Sequence, residues 1–467
     1  RLHYIVGQNL AQFRGALVEL KDEKQNTLRT NNLDYNTKDS IAYFYDGASM
    51  QDEDGNIIES VRGRYESKGK LFTFIEDVQM FSDSLFFVTD TARYRTDLET
   101  AYFTTNTKAW KNQNYFSATG GWYNRGDETM FFEGNVYGQT EDYELWCDDL
   151  FFNRNEEHTI LRGNVQVTDT INGAVVLGDH IETYNEPRSA KVTINPAIIG
   201  LVEEDGVSDS VYVAADTLYY YSRKMFEVDS SVIAQAKERK KLAMIDAVFN
   251  LREQIKAEQA ALNQRQMDEE MASRGGGKLN QIKSGGNKLG EEGVENEVVE
   301  ENDENDGDED TPSEGETLAT PQPKDTSDVV FLEAYHNVRI YKSDNQVICD
   351  SLLYSGIDSI ARLFKSPVIW NEVTNQLSSD SIQVVMKDGV MEKGLLLSNA
   401  FVAFEEQPGK YYNQVKSPEM AGFFKDGELA RFDALGGAQM LMYLKDSTEV
   451  AYANRKECKI ISSDRKS

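Results

Sequence analysis

Through most of the chain, apolar and polar residues alternate with a period of two, as in Val165-Gln166-Val167 and Val175-Val176-Leu177. That period predicts strands with one face buried and the other wet. Two signatures recur within the pattern. The first is a small or turn residue followed by Val-x-apolar: Asp77-Val78-Gln79-Met80, Asn135-Val136-Tyr137-Gly138, Asn164-Val165-Gln166-Val167, Asn337-Val338-Arg339-Ile340 and Pro367-Val368-Ile369-Trp370. The second is a small residue followed by Asp-x-Leu-x-aromatic: Ser82 to Phe87, Cys147 to Phe152, Ala215 to Tyr220 and Cys349 to Tyr354, with looser copies at Gly178-Asp179-His180-Ile181 and Ser379-Asp380-Ser381-Ile382. The aromatic ends Tyr65, Tyr94, Tyr123 and Phe152 stand 29 residues apart. Self-similarity at a fixed period predicts an array of β-repeats. Asp54-Gly55-Asn56, Asn172-Gly173 and Glu204-Asp205-Gly206 supply the residue types that tolerate tight turns.

The pattern breaks after Ile233. Residues 1–233 read as a first array, 234–327 as an insertion, 328–454 as a second array and 455–467 as a basic polar tail, so that the insertion either interrupts one β-array or separates two modules of the same kind. Within the insertion, 235–271 is rich in Ala, Lys, Glu, Gln and Leu and predicts a helix, with Ile245, Phe249, Arg252 and Ile255 on one face. So narrow a stripe suits a solvated or partner-docking helix. The following stretch, Gly-rich and then acidic, has too little hydrophobicity to repay the entropy of ordering and reads as disordered. Later repeats are degenerate, with Ala400 to Phe404 and Gly436 to Leu441 standing in for the Val-x-apolar strand. The chain starts at Arg1 inside a strand-like run, so the N-terminus reads as trimmed.

The net charge of −30 argues against nucleic acid as a partner. Residues 291–316 hold fourteen acids and no base, and removing them leaves −16 on the rest. Forty-five Tyr and Phe favour strands, and no run of about 18 apolar residues is present to span a membrane as a helix. Cys147 and Cys349 fill the small-residue slot of two distant repeats and are not expected to pair; Cys458 stands alone. His3, His158, His180 and His336 lie in different repeats, and no nucleophile elbow, phosphate loop or Cys-x-x-Cys pair occurs. No cofactor is implied. The repeated aspartates Asp83, Asp148, Asp179, Asp216, Asp350 and Asp380 are the best candidates for paired-carboxylate chemistry, as in a right-handed β-helix enzyme acting on polysaccharide. Their equivalent positions favour a structural rung that fixes a turn. A plain repeat scaffold is the third reading.

The paired order Gly134-Asn135-Val136-Tyr137-Gly138 and Cys147-Asp148-Asp149-Leu150-Phe151-Phe152 resembles the OstA/LptA-like repeat, as do Gly163 to Val167 with Gly178 to Tyr184, and Thr27 to Tyr35. The resemblance covers most of residues 15–233 and 329–400. It implies an all-β, elongated, twisted, half-open β-jellyroll, a solenoid-like array of repeats folded like a taco, here carrying a helical and disordered insertion. It further implies a non-enzymatic periplasmic bridge protein of lipopolysaccharide transport, its signal peptide already removed, that shields lipid A acyl chains in a β-groove. Partners would be lipopolysaccharide and like-folded proteins docked through edge strands, with head-to-tail self-association. The groove role carries over to Val78, Met80, Val136, Val165, Val167, Val338, Ile340 and Val368, and to Leu150, Leu218 and Leu352 on the Asp-x-Leu strands. The chain's length and its insertion depart from the family pattern. Whether the interior is a filled core or an open groove stays open at this point.

Overall fold

The computed structural model describes residues 1–82, 84–171, 173–204, 207–274, 325–371, 374–425, 428–446 and 449–464. Asp83, the turn residues Asn172, Asp205 and Gly206, and the Gly-rich and acidic tract through 275–324 lie outside the described residues. The chain divides into two units, Arg1–Ile245 with Thr326–Ser467, and Asp246–Asp325.

The first unit is built from long strands that run back and forth, each hydrogen-bonded to the next. All pairings among the described strands are antiparallel, so the parallel coil of a right-handed β-helix is not the architecture. The stretch Met130–Phe152 is a hairpin of strands Thr129–Gln139 and Tyr143–Asn153, with Met130 opposite Phe152 and Val136 opposite Cys147.

Each long strand bends near its middle, and the Val-x-apolar signature marks the bend. The two residues before the valine both have positive φ: Glu76 and Asp77, Gly134 and Asn135, Gly163 and Asn164, His336 and Asn337. This left-handed region suits Gly, Asn and Asp best. The pairing register shifts at the same places, between Ile75 and Val78, Glu133 and Val136, Arg162 and Val165, Tyr335 and Val338. These are β-bulges, which bend the bulged strand. The degenerate copies do the same, with positive φ at Ser398 and Asn399 and at Gly436 and Gly437. Folded at these bulges, each long strand contributes to two facing walls, and rings from opposite walls meet: Phe87 packs on Phe103 at 5.0 Å and on Tyr123 at 5.7 Å.

Of the two sequence alternatives, the insertion interrupts one sheet: strands Val207–Ala214 and Thr217–Lys224 both pair with Asp328–Lys342 across it. Two other expectations change. The tail is a strand to Asp464, paired along Glu428–Asp446, with Ile461 facing inward opposite Ala434; its charges are those of an outer strand. The expected single helix is two, α1 (Ser230–Met244) and α2 (Ala247–Arg274). Ile245 leaves helical geometry as the α1 C-cap, and the Asp246 side chain accepts from the Phe249 N–H at 2.9 Å, starting a new helix.

α1 belongs to the first unit and is docked on it. Asp229 caps its N-terminus by accepting from the Ser231 N–H at 2.7 Å. Ala243 packs with Ile360 and Val385, which are register partners on the outer face of the wall. Arg239 pairs at 2.8 Å with Asp358, a carboxylate with no exposed surface. The buried Lys393 ammonium donates to the carbonyls of Ala243 (2.7 Å) and Ile245 (2.8 Å), placing a cation at the helix C-terminus. The second unit contains α2, whose polar residues surround it on the described turns. No helix among the described residues is long and apolar enough to cross a membrane.

Candidate functional site

Inward-facing side chains meet their register partners strand after strand, which draws them into rows running the length of the sheet. One row passes through Leu28, Met50, Ile58, Met80, Phe87 and Ala109. Beyond Phe116 and Gly138 it continues as Leu145, Val167, Val176, Ile198 and Val213. It crosses the insertion to Ile340, then Val347, Ile369, Leu377 and Val402. A second row lies deep on the facing wall: Phe132, Leu150, Leu161, Ile181, Val192, Leu218, Ala334 and Leu352. A third follows that wall's outer margin through Tyr65, Phe72, Tyr94, Ala101, Tyr123, Met130 and Phe152.

Val78, Val136, Val165 and Val338 are buried directly after a bend, where Val136 faces Cys147 and Val338 faces Cys349; both thiols are free, and burial pushes them up, to about 12 and about 11. Met80 is buried in the first row, and Val167 and Ile340 are half-buried there. Leu150, Leu218 and Leu352 are buried in the second row. Val368 is the exception. Its partner is Ile348, which is exposed on the outer face, while Ile369 continues the inner row beside Val347. Lys365 and Ser366 form the positive-φ pair here, so Pro367 occupies the valine slot and Val368 is displaced by one residue, which turns a strand side chain to the other face.

The aspartates lie outside the bends and tie neighbouring repeats together. Asn164 Nδ2 donates to Asp148 Oδ2 at 3.0 Å, Asn195 Nδ2 to Asp179 Oδ2 at 2.9 Å, Asn337 Nδ2 to Asp216 at 3.0 Å and Asn399 Nδ2 to Asp380 Oδ2 at 2.8 Å. Each carboxylate thus holds the left-handed residue of the adjoining strand. Asp350 is bound instead by Lys365 (2.8 Å) and His336 (3.3 Å), and the Lys365 ammonium keeps its carboxyl well below the ordinary range. No group of three or more His, Cys, Asp and Glu among the described residues is arranged to hold a metal.

One feature was missed by the sequence reading. In the first repeats, turns from the two margins of the fold are joined by charge. Arg125 binds Asp52 at 3.0 Å, Glu99 at 2.8 Å and also Asp54; Lys24 binds Glu99 at 3.1 Å, and Lys70 binds Glu23 at 3.0 Å. The Arg125 guanidinium holds the Glu99 carboxyl below its usual range. These residues are punctuation in the sequence; their only signal is that they recur in the turns of the 29-residue period.

A folded antiparallel β-repeat with an unbroken apolar interior is the class of protein these features define. Residues 1–90 match the family model described as OstA-like protein, and the match supports an OstA/LptA-like assignment. No curated protein matches the chain. The bends and rows found within the matched residues continue past residue 90 to the last strands.

Proposed function

We propose that the chain is a periplasmic lipopolysaccharide-transport protein that shields acyl chains between its two walls and passes them along the sheet. The observation that carries this reading is the first row beyond strand Thr129–Gln139. From Leu145 to Val402 its side chains are uncharged, aliphatic and only half-buried. At the usual strand separation that stretch measures about 40 Å. Apolar area of this kind stabilises a buried acyl chain by about 0.8 kcal/mol per CH₂. Handover would run through the sheet edges: among the described residues, strand Leu2–Ile5 pairs only with Leu10–Lys21, and Glu449–Asp464 only with Glu428–Asp446. Unpaired edges of this sort are templates for like-folded partners or a second copy. The work is binding and transfer rather than catalysis.

Purified lipopolysaccharide titrated into the full chain should bind, and Ile340→Glu should weaken that binding by about a hundredfold, since an unpaired carboxylate in the row costs about 2–3 kcal/mol. Ile340 is half-buried, so the variant should fold. Equal binding by the two proteins would sink the reading.

A further inference from the structure

We infer that the interior is divided along its length, with acyl chains admitted only beyond strand Thr129–Gln139 and the part before it a filled, clasped end. This rests on the lipid-binding reading of the same interior and adds where the lipid sits.

The two stretches differ in side-chain size. Before the division, Phe44, Phe74, Phe87, Phe103 and Tyr123 fill the interior, all at most 3% exposed, and Phe87 meets Phe103 and Tyr123 from the opposite wall. Gly63 makes room for one of them: a Cβ there would lie 2.4 Å from Phe44 Cζ. The space left among Met50, Ile58, Met80, Tyr94 and Tyr123 is about 20 Å³, enough for one water; the wider space of about 560 Å³ beside it is lined by the charged clasp residues Asp54, Glu99, Arg125 and Glu128 together with Tyr123 and Phe81. Over the smaller space, the Arg125, Asp52 and Glu99 ion pairs hold the two margins together. Beyond the division both margins change. On the first row, Val167, Ile198 and Val347 are half-buried; facing them on the third row, Phe152, Thr159 and Thr183 are half-buried too. Branched aliphatic and threonine side chains are too short to close the gap that phenylalanine rings close.

The occupant follows from the chemistry of the lining. Backbone N–H and C=O groups of these strands are already spent on one another in the sheet ladders. A polypeptide lying between the walls would bring its own backbone groups with nothing to bond, at several kcal/mol in total. An acyl chain brings none.

Ala101 and Ala361 are register-row neighbours of the same kind, one in each stretch: Ala101 lies beside Tyr94 and Tyr123, Ala361 beside Tyr354 and Val384. In a Cys458→Ser background, Ala101→Cys and Ala361→Cys would be labelled with a maleimide, with and without purified lipopolysaccharide. The thiol at 361 is expected to react, and lipid at about ten times its Kd to slow the reaction about tenfold; the thiol at 101 should stay inert in both conditions. Because Ala101→Cys adds a sulfur to a fully packed position, benzoylphenylalanine in place of Tyr123 and of Tyr354 gives a second readout, with a lipid adduct expected from position 354 alone. Labelling and lipid protection at 101 equal to those at 361, or equal adducts from 123 and 354, would overturn the division and leave the lipid reading standing. Protection and adducts at none of the four positions would overturn both.

Discussion

Gly63→Val should melt the first repeats separately from the rest of the sheet. Gly63 sits on the inner face between Phe44 and Phe74. A Cβ there would stand 2.1 Å from the Thr73 carbonyl oxygen and 2.4 Å from the Phe44 ring. The ring could turn aside, but the carbonyl belongs to a ladder and cannot move without breaking it. The expected cost is on the order of 4 kcal/mol, at the upper end for overpacking. Repeats interact mainly with their neighbours, so the loss should stay local. Near-UV circular dichroism reports the packed rings, and its thermal transition should fall well below the far-UV one. Coincident transitions at the wild-type midpoint would show that the site has slack the structure does not reveal.

Asp358→Ala is expected to release α1 while leaving the sheet folded. Asp358 is fully buried; it accepts from Arg239 Nε at 2.8 Å and from the Ile360 N–H at 3.2 Å. Arg362, half-buried alongside, has a buried Nε with no hydrogen-bond partner among the described residues. Burial and the neighbouring Arg239 charge lower its pKa, an effect that Asp358 opposes. Removing the carboxylate therefore leaves the Arg239 and Arg362 guanidinium groups facing each other with only Glu333 to offset them, at about 3 kcal/mol. What remains to hold α1 is Ala243 on Ile360 and Val385, and the Lys393 ammonium on the helix end. Lys237, Arg239, Lys240 and Lys241 make α1 a trypsin substrate once it is free. Rapid cleavage there in the variant, with the wild type resistant, is the expected result; equal rates would mean that Asp358 does not hold the helix.

The repeat was legible because the bend needs particular residues: only Gly, Asn and Asp accept two consecutive left-handed positions readily, so Gly134-Asn135 and Gly163-Asn164 announce themselves. The resemblance to the repeat motif then placed Val136, Val165 and Leu150 on the inner face. Where proline takes the valine slot, at Pro367, the same logic slipped by one and sent Val368 inward wrongly. The tail was misread because an outer strand carries charge on its solvent side, leaving only residues such as Ile460 and Ile461 to mark it. Contacts between distant residues left no pattern. Arg125 meets Asp52 across 73 residues, and Lys393 meets Ala243 across 150. Nothing local in α1 distinguishes a solvated helix from one pinned by Asp358 and Lys393. The division of the interior was hidden for a related reason, since it depends on which rings reach the opposite wall.

On the proposed reading, lipid lies inside the fold, along the first row. Ile340 points inward and its neighbour Arg339 outward on the same strand. Benzoylphenylalanine placed at each position, in cells that make lipopolysaccharide, compares the two faces directly. Crosslinking to lipopolysaccharide from position 340 and none from 339 is the predicted result. Equal crosslinking from both, or none from 340 in folded protein, would contradict it.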